Sequence, residues 1–489
     1  MRVEVVLVGA PPAVQAAVSD HLRRWPEAEI VRVATLRDVP ALGAHPTRSL
    51  RVIAQCTEDG EGDGGAPASA GESVSLPAHD PDQAALVLGV RVARLVRGGM
   101  ARRDLRPRLG PRAVSRREVL GGRWTGGELP SHPVLLRERC RAPYGCRLCR
   151  EACPLGAIQW RDGLPDTTTV CHGCGACAAV CPTGALQSPL FCDEEWGGIL
   201  EGLAASRAAR ALVVTCPRAS VGPLPRGTVV ERIPCVGALG VCHLAQIAAS
   251  SPGRVLAYCP DPEGCESSAA ARRLEEDART VTASLAAGEE RFSLVQGPPS
   301  CLLSALATMP LHDLPGVAGG PSHRPPAIGG QRRADFLAAV RQAYGPQIPP
   351  SPRSQLFTAE ASGSCTLCGV CSAVCPEGAL HLDGAREALT LSFRGDRCIG
   401  CGFCVSRCPE AALRVRPAED ITDVVEDRPT PLATSRVARC RRCGTPLGAV
   451  RSLERLAALL ADDPVVVQAL EYCSPCKMAR LAPPETPPR

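Results

Sequence analysis

The sequence predicts a multidomain chain that combines α/β and α+β segments, and three observations lead to this prediction. The chain has 489 residues, a length that suits about three to five domains. Most of its 28 cysteines lie in Cys-x2-Cys groups, a spacing that is typical of metal sites rather than of disulfides. Apolar runs alternate with helical stretches in two other regions, which indicates parallel α/β units.

The cysteine groups and the changes in composition divide the chain into eight segments. The linkers are rich in Pro, Gly or Arg, a composition that is typical of connecting segments. The predicted segments are an α/β domain without an assigned role at 1–98, an Arg-rich linker at 99–138, a cysteine-rich module at 139–192, an α/β domain at 193–310, a linker with one short helix (Ala334–Tyr344) at 311–357, a second cysteine-rich module at 358–417, a linker at 418–436 and a small metal-binding domain at 437–489.

The first α/β domain has no recognisable functional motif. Its predicted strands are Val3–Val8, Glu29–Ala34 and Arg51–Cys56. Its predicted helices are Ala13–Arg24 and Asp80–Val96, and residues 57–80 are predicted to form a flexible loop. The turn after the first strand contains one glycine and two prolines, so it does not match a dinucleotide-binding fingerprint.

Residues 365–408 contain two copies of one cysteine pattern. The copies are Cys365-x2-Cys368-x2-Cys371-x3-Cys375-Pro376 and Cys398-x2-Cys401-x2-Cys404-x3-Cys408-Pro409. Three thiolates two residues apart hold three irons of one cluster, while the fourth cysteine binds the cluster of the other copy. This is the bacterial ferredoxin pattern for two [4Fe–4S] clusters, with zinc sites or disulfides as the alternative. The predicted ligand sets are Cys365, Cys368, Cys371 and Cys408 for one cluster, and Cys398, Cys401, Cys404 and Cys375 for the other.

Residues 139–192 resemble a second dicluster ferredoxin module. The later half is intact, as Cys171-x2-Cys174-x2-Cys177-x3-Cys181-Pro182. The first half reads Cys140-x5-Cys146-x2-Cys149-x3-Cys153-Pro154, with Pro143 where a cysteine is expected. We expect a longer loop to bring Cys140 to its iron, and a three-iron or incompletely ligated cluster is the alternative. The predicted sets are Cys140, Cys146, Cys149 and Cys181 for one [4Fe–4S] cluster, and Cys171, Cys174, Cys177 and Cys153 for the other.

A short sequence repeat follows each of the four Cys-Pro pairs. The four copies read Leu-Gly-Ala-Ile, Thr-Gly-Ala-Leu, Glu-Gly-Ala-Leu and Glu-Ala-Ala-Leu. Self-similarity of this kind indicates equivalent structural units. The repeat therefore predicts four equivalent half-modules.

The α/β domain between the two modules places cysteines at predicted strand ends. Strands are predicted at Ala211–Thr215, Thr228–Pro234, Arg254–Tyr258 and Phe292–Gln296. The cysteines are Cys216, Cys235 and Cys259, and Cys265 lies at the start of a predicted helix, Glu266–Ala278. Because the carboxyl ends of parallel strands meet at one edge, these four thiols predict a [2Fe–2S] site, with a cluster-free fold as the alternative. Of the remaining candidates, Cys242 is a spare ligand, Cys192 and Cys301 are predicted core thiols, and His243 is predicted at the surface or in a helix cap.

The same segment resembles the delta subunit of methyl-viologen-reducing hydrogenase. The residues that carry the resemblance are Cys216, Cys235-Val236-Gly237 and Cys259-Pro-Asp-Pro-Glu-Gly264-Cys265-Glu266. That family has two close cysteines near the first strand, where this chain has only Cys216. Because of this difference, the resemblance does not define the exact set of cluster ligands. The resemblance implies a role in joining a hydrogenase to a heterodisulfide reductase.

Two Cys-x2-Cys knuckles near the C-terminus predict a mononuclear S4 site. They are Cys440-x2-Cys443 and Cys473-x2-Cys476, with a predicted helix at Leu453–Leu460 between them. Such pairs form closed tetrahedral sites, and this one resembles a structural zinc ribbon. The expected ion is Zn²⁺; a rubredoxin-type iron and a disordered or partly reduced tail are the alternatives. A domain this small is expected to need the ion in order to fold.

These features together predict an iron–sulfur electron-transfer protein. The chain resembles the iron–sulfur subunits of hydrogenase, heterodisulfide-reductase and formate-dehydrogenase complexes, which implies redox-protein partners in a hetero-complex. No flavin or nicotinamide motif and no catalytic residues are recognised. The sequence also lacks the interleaved basic and aromatic residues that binding of single-stranded nucleic acid requires. No apolar run is long enough to span a membrane, and the cysteine usage favours a reducing cytoplasm. A redox- or metal-responsive regulator is the alternative, and a catalytic α/β site is a third possibility.

Overall fold

A computed structural model describes ten stretches of the chain. They are residues 2–26, 28–33, 49–57, 72–105, 132–206, 208–250, 253–285, 291–308, 332–384 and 387–481. The chain divides into two compact units. The first contains residues 1–143 and 147–345, and the second contains residues 144–146 and 346–489.

The first unit begins with a parallel sheet flanked by helices. Its elements are β1 (Arg2–Val8), α1 (Pro12–Leu22), β2 (Ala28–Val33), β3 (Ser49–Thr57), β4 (Glu72–Pro77) and α2 (Pro81–Leu105). The strands are parallel in the order β2-β1-β3-β4. Strand β4 lies inside the stretch 57–80 that was predicted as a loop, and this prediction was wrong there because a short, partly polar edge strand lacks a strong apolar pattern. Residues 58–71 of that stretch lie outside the described residues.

The cysteine-rich segment that follows consists of very short elements. They are β5 (Val134–Leu135), α3 (Leu148–Glu151), β6 (Ile158–Arg161), β7 (Leu164–Thr167), α4 (Ala176–Ala179) and β8 (Leu186–Gln187). Strands β5 and β8 pair antiparallel, and β6 and β7 form an antiparallel hairpin. Helix α2 extends into the predicted linker 99–138 and strand β5 lies within it; residues 106–131 of this linker lie outside the described residues.

A second parallel sheet completes the first unit. Its elements are α5 (Asp193–Ala204), β9 (Ala211–Thr215), β10 (Thr228–Arg232), α6 (Val241–Ser250), β11 (Arg254–Cys259), α7 (Ser268–Ser284), β12 (Phe292–Gln296), α8 (Pro299–Thr308) and α9 (Arg332–Ala343). The strands run in the order β10-β9-β11-β12. The expected strands are all present, whereas α7 begins two residues after the predicted start at Glu266.

The two sheets of the first unit share one topology. In each, the first strand lies between the second and the third, and the fourth strand is at the edge. The register also corresponds, since Val5 of β1 pairs with Val52 of β3 and Leu212 of β9 pairs with Val255 of β11. The sheet at 211–296 is therefore a second copy of the arrangement at 2–77.

Helix α2 joins the two sheets of the first unit. A Cβ atom on Gly198 or Gly202 of α5 would lie 2.5–2.6 Å from backbone atoms of α2, so only glycine permits this close helix packing. The buried Arg94 of α2 also forms a 2.5 Å ion pair with Glu231 of β10. These contacts fix the first sheet against the second.

The second unit contains the remaining cysteines. Its elements are β13 (Phe357–Ala361), α10 (Val370–Val374), β14 (Leu380–Gly384), β15 (Ala388–Phe393), α11 (Phe403–Ser406), β16 (Leu413–Pro417), α12 (Thr422–Val425), β17 (Thr430–Arg439), β18 (Pro446–Ala449), α13 (Val450–Leu459), α14 (Pro464–Ala469) and α15 (Ser474–Leu481). Strands β13 and β16 form a two-stranded sheet. A four-stranded antiparallel sheet has the order β14-β15-β17-β18. Strand β17 starts inside the stretch 418–436 predicted as a linker, and its pairing with β15 joins the C-terminal segment to the cysteine module.

Among the described residues, no helix combines the length and the apolar character needed to cross a membrane.

Candidate iron–sulfur and metal sites

The same turn follows each of the four Cys-Pro pairs. At its third position the backbone is left-handed, with φ of 60° at Gly156, 61° at Gly184, 60° at Gly378 and 47° at Ala411. This conformation brings the next amide back to the cysteine sulfur. The four N–H···Sγ bonds measure 3.2–3.3 Å and run from Ala157 to Cys153, from Ala185 to Cys181, from Ala379 to Cys375 and from Ala412 to Cys408. The repeat found in the sequence is thus a structural repeat.

A second shared feature positions the third cysteine of each half-module. A short helix starts one residue before that cysteine, at α3, α4, α10 and α11. In three cases a left-handed glycine precedes the helix, namely Gly175, Gly369 and Gly402, with φ of 73–83°. The fourth case has Arg147 with φ of −132°. The exception falls in the half-module whose cysteine pattern also departs from the others.

Two cavities in the second unit are lined by the predicted ligand sets. One, of about 410 Å³, is lined by Cys365, Cys368, Cys371 and Cys408 together with Leu367 and Leu413. The other, of about 370 Å³, is lined by Cys375, Cys398, Cys401 and Cys404 together with Leu380 and Phe393. In both, the fourth cysteine comes from the other copy of the pattern, as the ferredoxin arrangement requires.

The chemistry of these cavities suits a metal cluster. Burial, with smaller contributions from the thiols of Cys365, Cys368 and Cys408, raises the pKa of Cys371 to about 11. Burial likewise raises the pKa of Cys404 to about 12, with Cys398 and Cys375 among the contributing thiols. Grouped thiols in an apolar cavity cannot ionise together without a cation, and the irons of a cluster would supply that charge.

The first unit has a corresponding cavity in its cysteine-rich segment. It measures about 330 Å³ and is lined by Cys153, Cys171, Cys174 and Cys177, the set predicted for one cluster of this module. Burial and the four neighbouring thiols, Cys149 among them, raise the pKa of Cys177. The residues present therefore fit a cluster here as they do in the second unit.

The other predicted set of this module is brought together in part. Cys140 is buried and lies near Cys181, since the two thiols interact electrostatically. Cys149 and Cys181 pack in one apolar cluster with Ile158 and Leu186. Cys140, Cys149 and Cys181 belong to the first unit, whereas Cys146 belongs to the second.

Arg332 is a residue near this site that the sequence did not reveal. Its Nη1 donates to the carbonyl oxygens of Ala178 and Cys181, and its Nε and Nη2 form a paired contact with Asp193 at 2.7 and 2.6 Å. His243 lies 3.2 Å from the same carboxylate and accepts a hydrogen bond from Gly240. A lone arginine after a Pro/Gly-rich stretch carries no sequence signal of such a role.

The four cysteines predicted in the second α/β domain lie at one edge of its sheet. The thiol of Cys259 interacts with those of Cys216 and Cys265. Burial, with smaller contributions from the thiols of Cys174, Cys259 and Cys265, raises the pKa of Cys235 to about 12. Arg218 donates a hydrogen bond to the sulfur of Cys265 at 3.0 Å. These thiols are close enough to act on one another, and they also lie beside Cys174 of the ferredoxin-like segment.

The remaining candidates of this region are placed differently from one another. Cys192 is buried, as expected for a core thiol, whereas Cys301 is exposed and that prediction was wrong, because its turn of α8 faces solvent. Cys242 is buried near Arg332 and Asp193 rather than among the other cysteines. His243 caps the start of α6 through Gly240 but is buried rather than at the surface.

The C-terminal knuckles form the most compact cysteine group. The sulfurs of Cys440, Cys443, Cys473 and Cys476 all lie within 4.8 Å of one another, and those of Cys443 and Cys473 are 3.5 Å apart. A tetrahedral Zn²⁺ with bonds of about 2.3 Å places sulfurs about 3.8 Å apart. The spacing therefore fits a single ion, because a multi-iron cluster would hold its thiolates further apart. Backbone hydrogen bonds, of which the one from Cys473 has the largest effect, lower the pKa of Cys440 to about 6. A lower pKa favours the thiolate form that binds metal.

Comparison with known families agrees with the cysteine turns. A 4Fe-4S dicluster domain model matches residues 364–412, and a 4Fe-4S binding domain model matches residues 167–187. No curated protein matches the chain. The chain thus contains two ferredoxin-type 4Fe–4S domains. These domains and the many other cysteines indicate an iron–sulfur electron-transfer protein.

Proposed function

We propose that this chain is a multi-centre electron conduit, a non-catalytic subunit that passes single electrons between redox-protein partners. The observation that supports the proposal best is the turn repeated after all four Cys-Pro pairs, with its N–H···Sγ bond of 3.2–3.3 Å. Hydrogen bonds to cluster sulfurs are one of the means by which proteins set reduction potentials. Four equivalent turns favour four equivalent [4Fe–4S] clusters.

The cysteines proposed as cluster ligands are those of the four sets predicted from the sequence. An iron–sulfur cluster supplies one-electron chemistry when it is bound. The protein would hold it by thiolates, exclude water with apolar side chains such as Leu367, Leu380 and Ile158, and stabilise the ligand sulfurs by amide donors. The cavities of about 410, 370 and 330 Å³ support three of these four assignments.

We further propose a [2Fe–2S] centre on Cys216, Cys235, Cys259 and Cys265, and one Zn²⁺ on the C-terminal knuckles. The mutual electrostatic effects of the four sheet-edge thiols support the first assignment. The sulfur separations support the second. The proximity of Cys174 to Cys235 favours electron exchange between the sheet-edge centre and the neighbouring cluster.

The proposed partners are subunits of hydrogenase, heterodisulfide-reductase or formate-dehydrogenase complexes in the cytoplasm. The resemblance of the segment around Cys216, Cys235 and Cys259 to a hydrogenase delta subunit supports this choice. The division of the chain into eight segments is part of the same proposal; helix α9 lies within the predicted linker 311–357, and strand β17 begins within the predicted linker 418–436.

Metal and sulfide analysis of the anaerobically purified full chain, with EPR of the reduced sample, tests the proposal. We expect about 18 iron, about 18 sulfide and about one zinc per chain. A value near 16 iron without a [2Fe–2S] signal would remove the sheet-edge centre alone. A value near 8 would limit the conduit to the second unit, and absence of [4Fe–4S] signals would reject the proposed function.

A further inference from the structure

Helix α13, in the C-terminal segment, contacts the loop that holds the first cysteine of a predicted cluster. The Ser452 hydroxyl donates a hydrogen bond of 2.6 Å to the carbonyl oxygen of Thr366. The guanidinium of Arg451 lies 3.5 Å from the carbonyl oxygen of Cys365. Both contacts span 86 positions of sequence, so they are tertiary contacts made by the helix with a remote cysteine loop.

The same helix contacts the loop of the fourth cysteine. Arg455 Nε lies 3.1 and 3.0 Å from the two carboxylate oxygens of Glu410, and Glu410 follows Cys408 by two residues. Thr366, Cys365 and Glu410 all line the cavity of about 410 Å³. Helix α13 therefore contacts the two chain segments that supply the first and last ligands of one predicted cluster.

The backbone between Cys365 and Cys368 gives a reason for such support. Leu367 adopts φ of 58°, whereas the corresponding positions in two other half-modules are Gly173 and Gly400, with φ of 79° and 69°. A left-handed conformation is unfavourable for a residue with a side chain. A trans peptide points the Thr366 carbonyl and the Leu367 amide in opposite directions. The bond from Ser452 thus fixes the orientation of the peptide plane in the strained part of the loop.

The cysteines of the S4 site lie on both sides of helix α13 in the sequence, and the helix also contacts the sheet. Helix α13 follows β18, which leads out of the knuckle at Cys440 and Cys443, while Cys473 closes the metal site from beyond α14. The Arg451 amide also donates to Ser435 Oγ of β17 at 3.4 Å. An ion bound by the four thiols would therefore hold both ends of the segment that carries α13.

We propose that Ser452, supported by Arg451 and Arg455, is a positioning residue for the cluster at Cys365, Cys368, Cys371 and Cys408, and that the S4 metal ion maintains this position. The inference rests on the proposed function, because it requires clusters in the second unit. The cluster at Cys375, Cys398, Cys401 and Cys404 serves as an internal reference, because Ser452, Arg451 and Arg455 contact residues that line the first cavity.

The test compares the full chain with Ser452→Ala, Ser452→Thr and the matched control Glu454→Ala, which changes an exposed position of the same helix. An EPR-monitored redox titration of each variant measures the midpoint potentials of both clusters. We expect Ser452→Ala to shift one potential only and to release iron from that cluster about fivefold faster under a chelator, as the loss of one hydrogen bond implies. Ser452→Thr should restore both values, and Glu454→Ala should match the parent. A Cys398→Ser variant, which removes a ligand of the reference cluster, assigns the shifted signal.

A Cys473→Ala variant tests the link to the S4 site. We expect it to lose the zinc and to shift the same potential as Ser452→Ala. Unchanged potentials in Ser452→Ala would overturn the inference while leaving the clusters and the proposed function intact. A shift of the reference cluster alone would also overturn it. Absence of [4Fe–4S] signals from the parent chain would reject the proposed function and this inference together.

Discussion

Arg332 donates a hydrogen bond of 3.0 Å to the carbonyl oxygen of Cys181, although 151 positions of sequence separate the two residues. The same guanidinium is paired with Asp193, and its side chain is only 4% exposed. The contact joins helix α9 to the end of the ferredoxin-like segment. A residue from a stretch predicted as a linker is thus part of the support of a proposed cluster ligand.

Replacing Arg332 by methionine should destabilise the first unit. The substitution leaves the partly buried carboxylate of Asp193 without its main counter-charge and two carbonyl oxygens without their donor. Removing one partner of a buried ion pair costs about 3 kcal/mol, so we expect a loss of this size in denaturant unfolding of the full chain. Gln342→Ala, at an exposed position of the same helix, is the control. Equal stability of the two variants would contradict a structural role for the pair.

The charge of Asp335 predicts a pH dependence of stability. Burial, with smaller contributions from the carboxylates of Asp193 and Glu194, raises the pKa of Asp335 to about 6. The unfolded value is about 3.9, so the folded state binds more protons between these two values. The contribution of Asp335 to the free energy of unfolding is therefore lost as the pH rises from about 4 to about 6.

An Asp335→Asn variant should remove this loss. At about pH 7.5 we expect the variant to be more stable than the parent by about 1 kcal/mol, a figure that allows for solvent screening of a partly exposed group. The advantage should be smaller at about pH 5. Anaerobic unfolding curves at the two pH values measure it, and an advantage that did not change with pH would argue against titration of Asp335.

The cysteine turns could be predicted from the sequence because they depend on neighbours in the chain. The spacing of four cysteines and a following Pro fixes which residues form one turn, and in the structure Cys408 and Cys365 line one cavity while Cys375 and Cys398 line another. The strands of the second sheet were predictable for a similar reason, since β9 consists of four apolar residues followed by Thr215, all of them buried.

The supporting contacts could not be predicted in this way. Ser452 and Arg332 are ordinary polar residues whose partners lie 86 and 151 positions away. No local sequence pattern indicates which distant residues they contact. Strand β17 mixes exposed and partly buried residues without regular alternation, so its sequence lacks the pattern of a strand and only its pairing with β15 identifies it. Cys301 was misjudged because exposure of one face of α8 depends on what packs against it.

The exchange of ligands between the two copies in the second unit can be tested by pairs of cysteine variants. Cys375→Ser and Cys398→Ser change ligands of the same predicted cluster, whereas Cys375→Ser and Cys365→Ser change ligands of different clusters. We expect the first pair to lose no more iron than either single variant, because one cluster is already lost. The second pair should lose about twice as much. Iron analysis and EPR of the purified chains decide between this and the unexchanged arrangement, in which the two results would be reversed.

Ala411 predicts a stabilising substitution. It adopts φ of 47° at a position where the other three half-modules have glycine, and a left-handed conformation costs an alanine about 1 kcal/mol. Ala411→Gly should therefore raise the free energy of unfolding by about 0.5–1 kcal/mol. The matched reverse change, Gly378→Ala, should lower it by a similar amount, since its Cβ would meet the nearest atom at an ordinary 3.6 Å and only the backbone is strained. Thermal unfolding of both variants measures the effect; a loss in both would contradict the argument.

The shared topology of the two parallel sheets provides a matched control for the proposed [2Fe–2S] centre. Strand β3 ends with the sequence Arg51-Val-Ile-Ala-Gln-Cys56 and β11 with Arg254-Val-Leu-Ala-Tyr-Cys259. The two cysteines occupy corresponding positions, since Cys56 pairs with Leu76 of β4 and Cys259 with Gln296 of β12. The residue after the first strand is Cys216 in the second sheet but Gly9 in the first, so only the second sheet offers a set of thiols at this edge.

Cys259→Ala should therefore abolish the [2Fe–2S] signal and remove about two iron per chain, while Cys56→Ala should leave the iron content unchanged. The [4Fe–4S] signals should persist in both variants, because the proposed ferredoxin ligands are separate. Low-temperature EPR and iron analysis of the reduced proteins measure the difference. Equal iron content in the parent and Cys259→Ala would mean that the sheet-edge thiols bind no iron, and a loss in Cys56→Ala would mean that the first sheet takes part in a metal site.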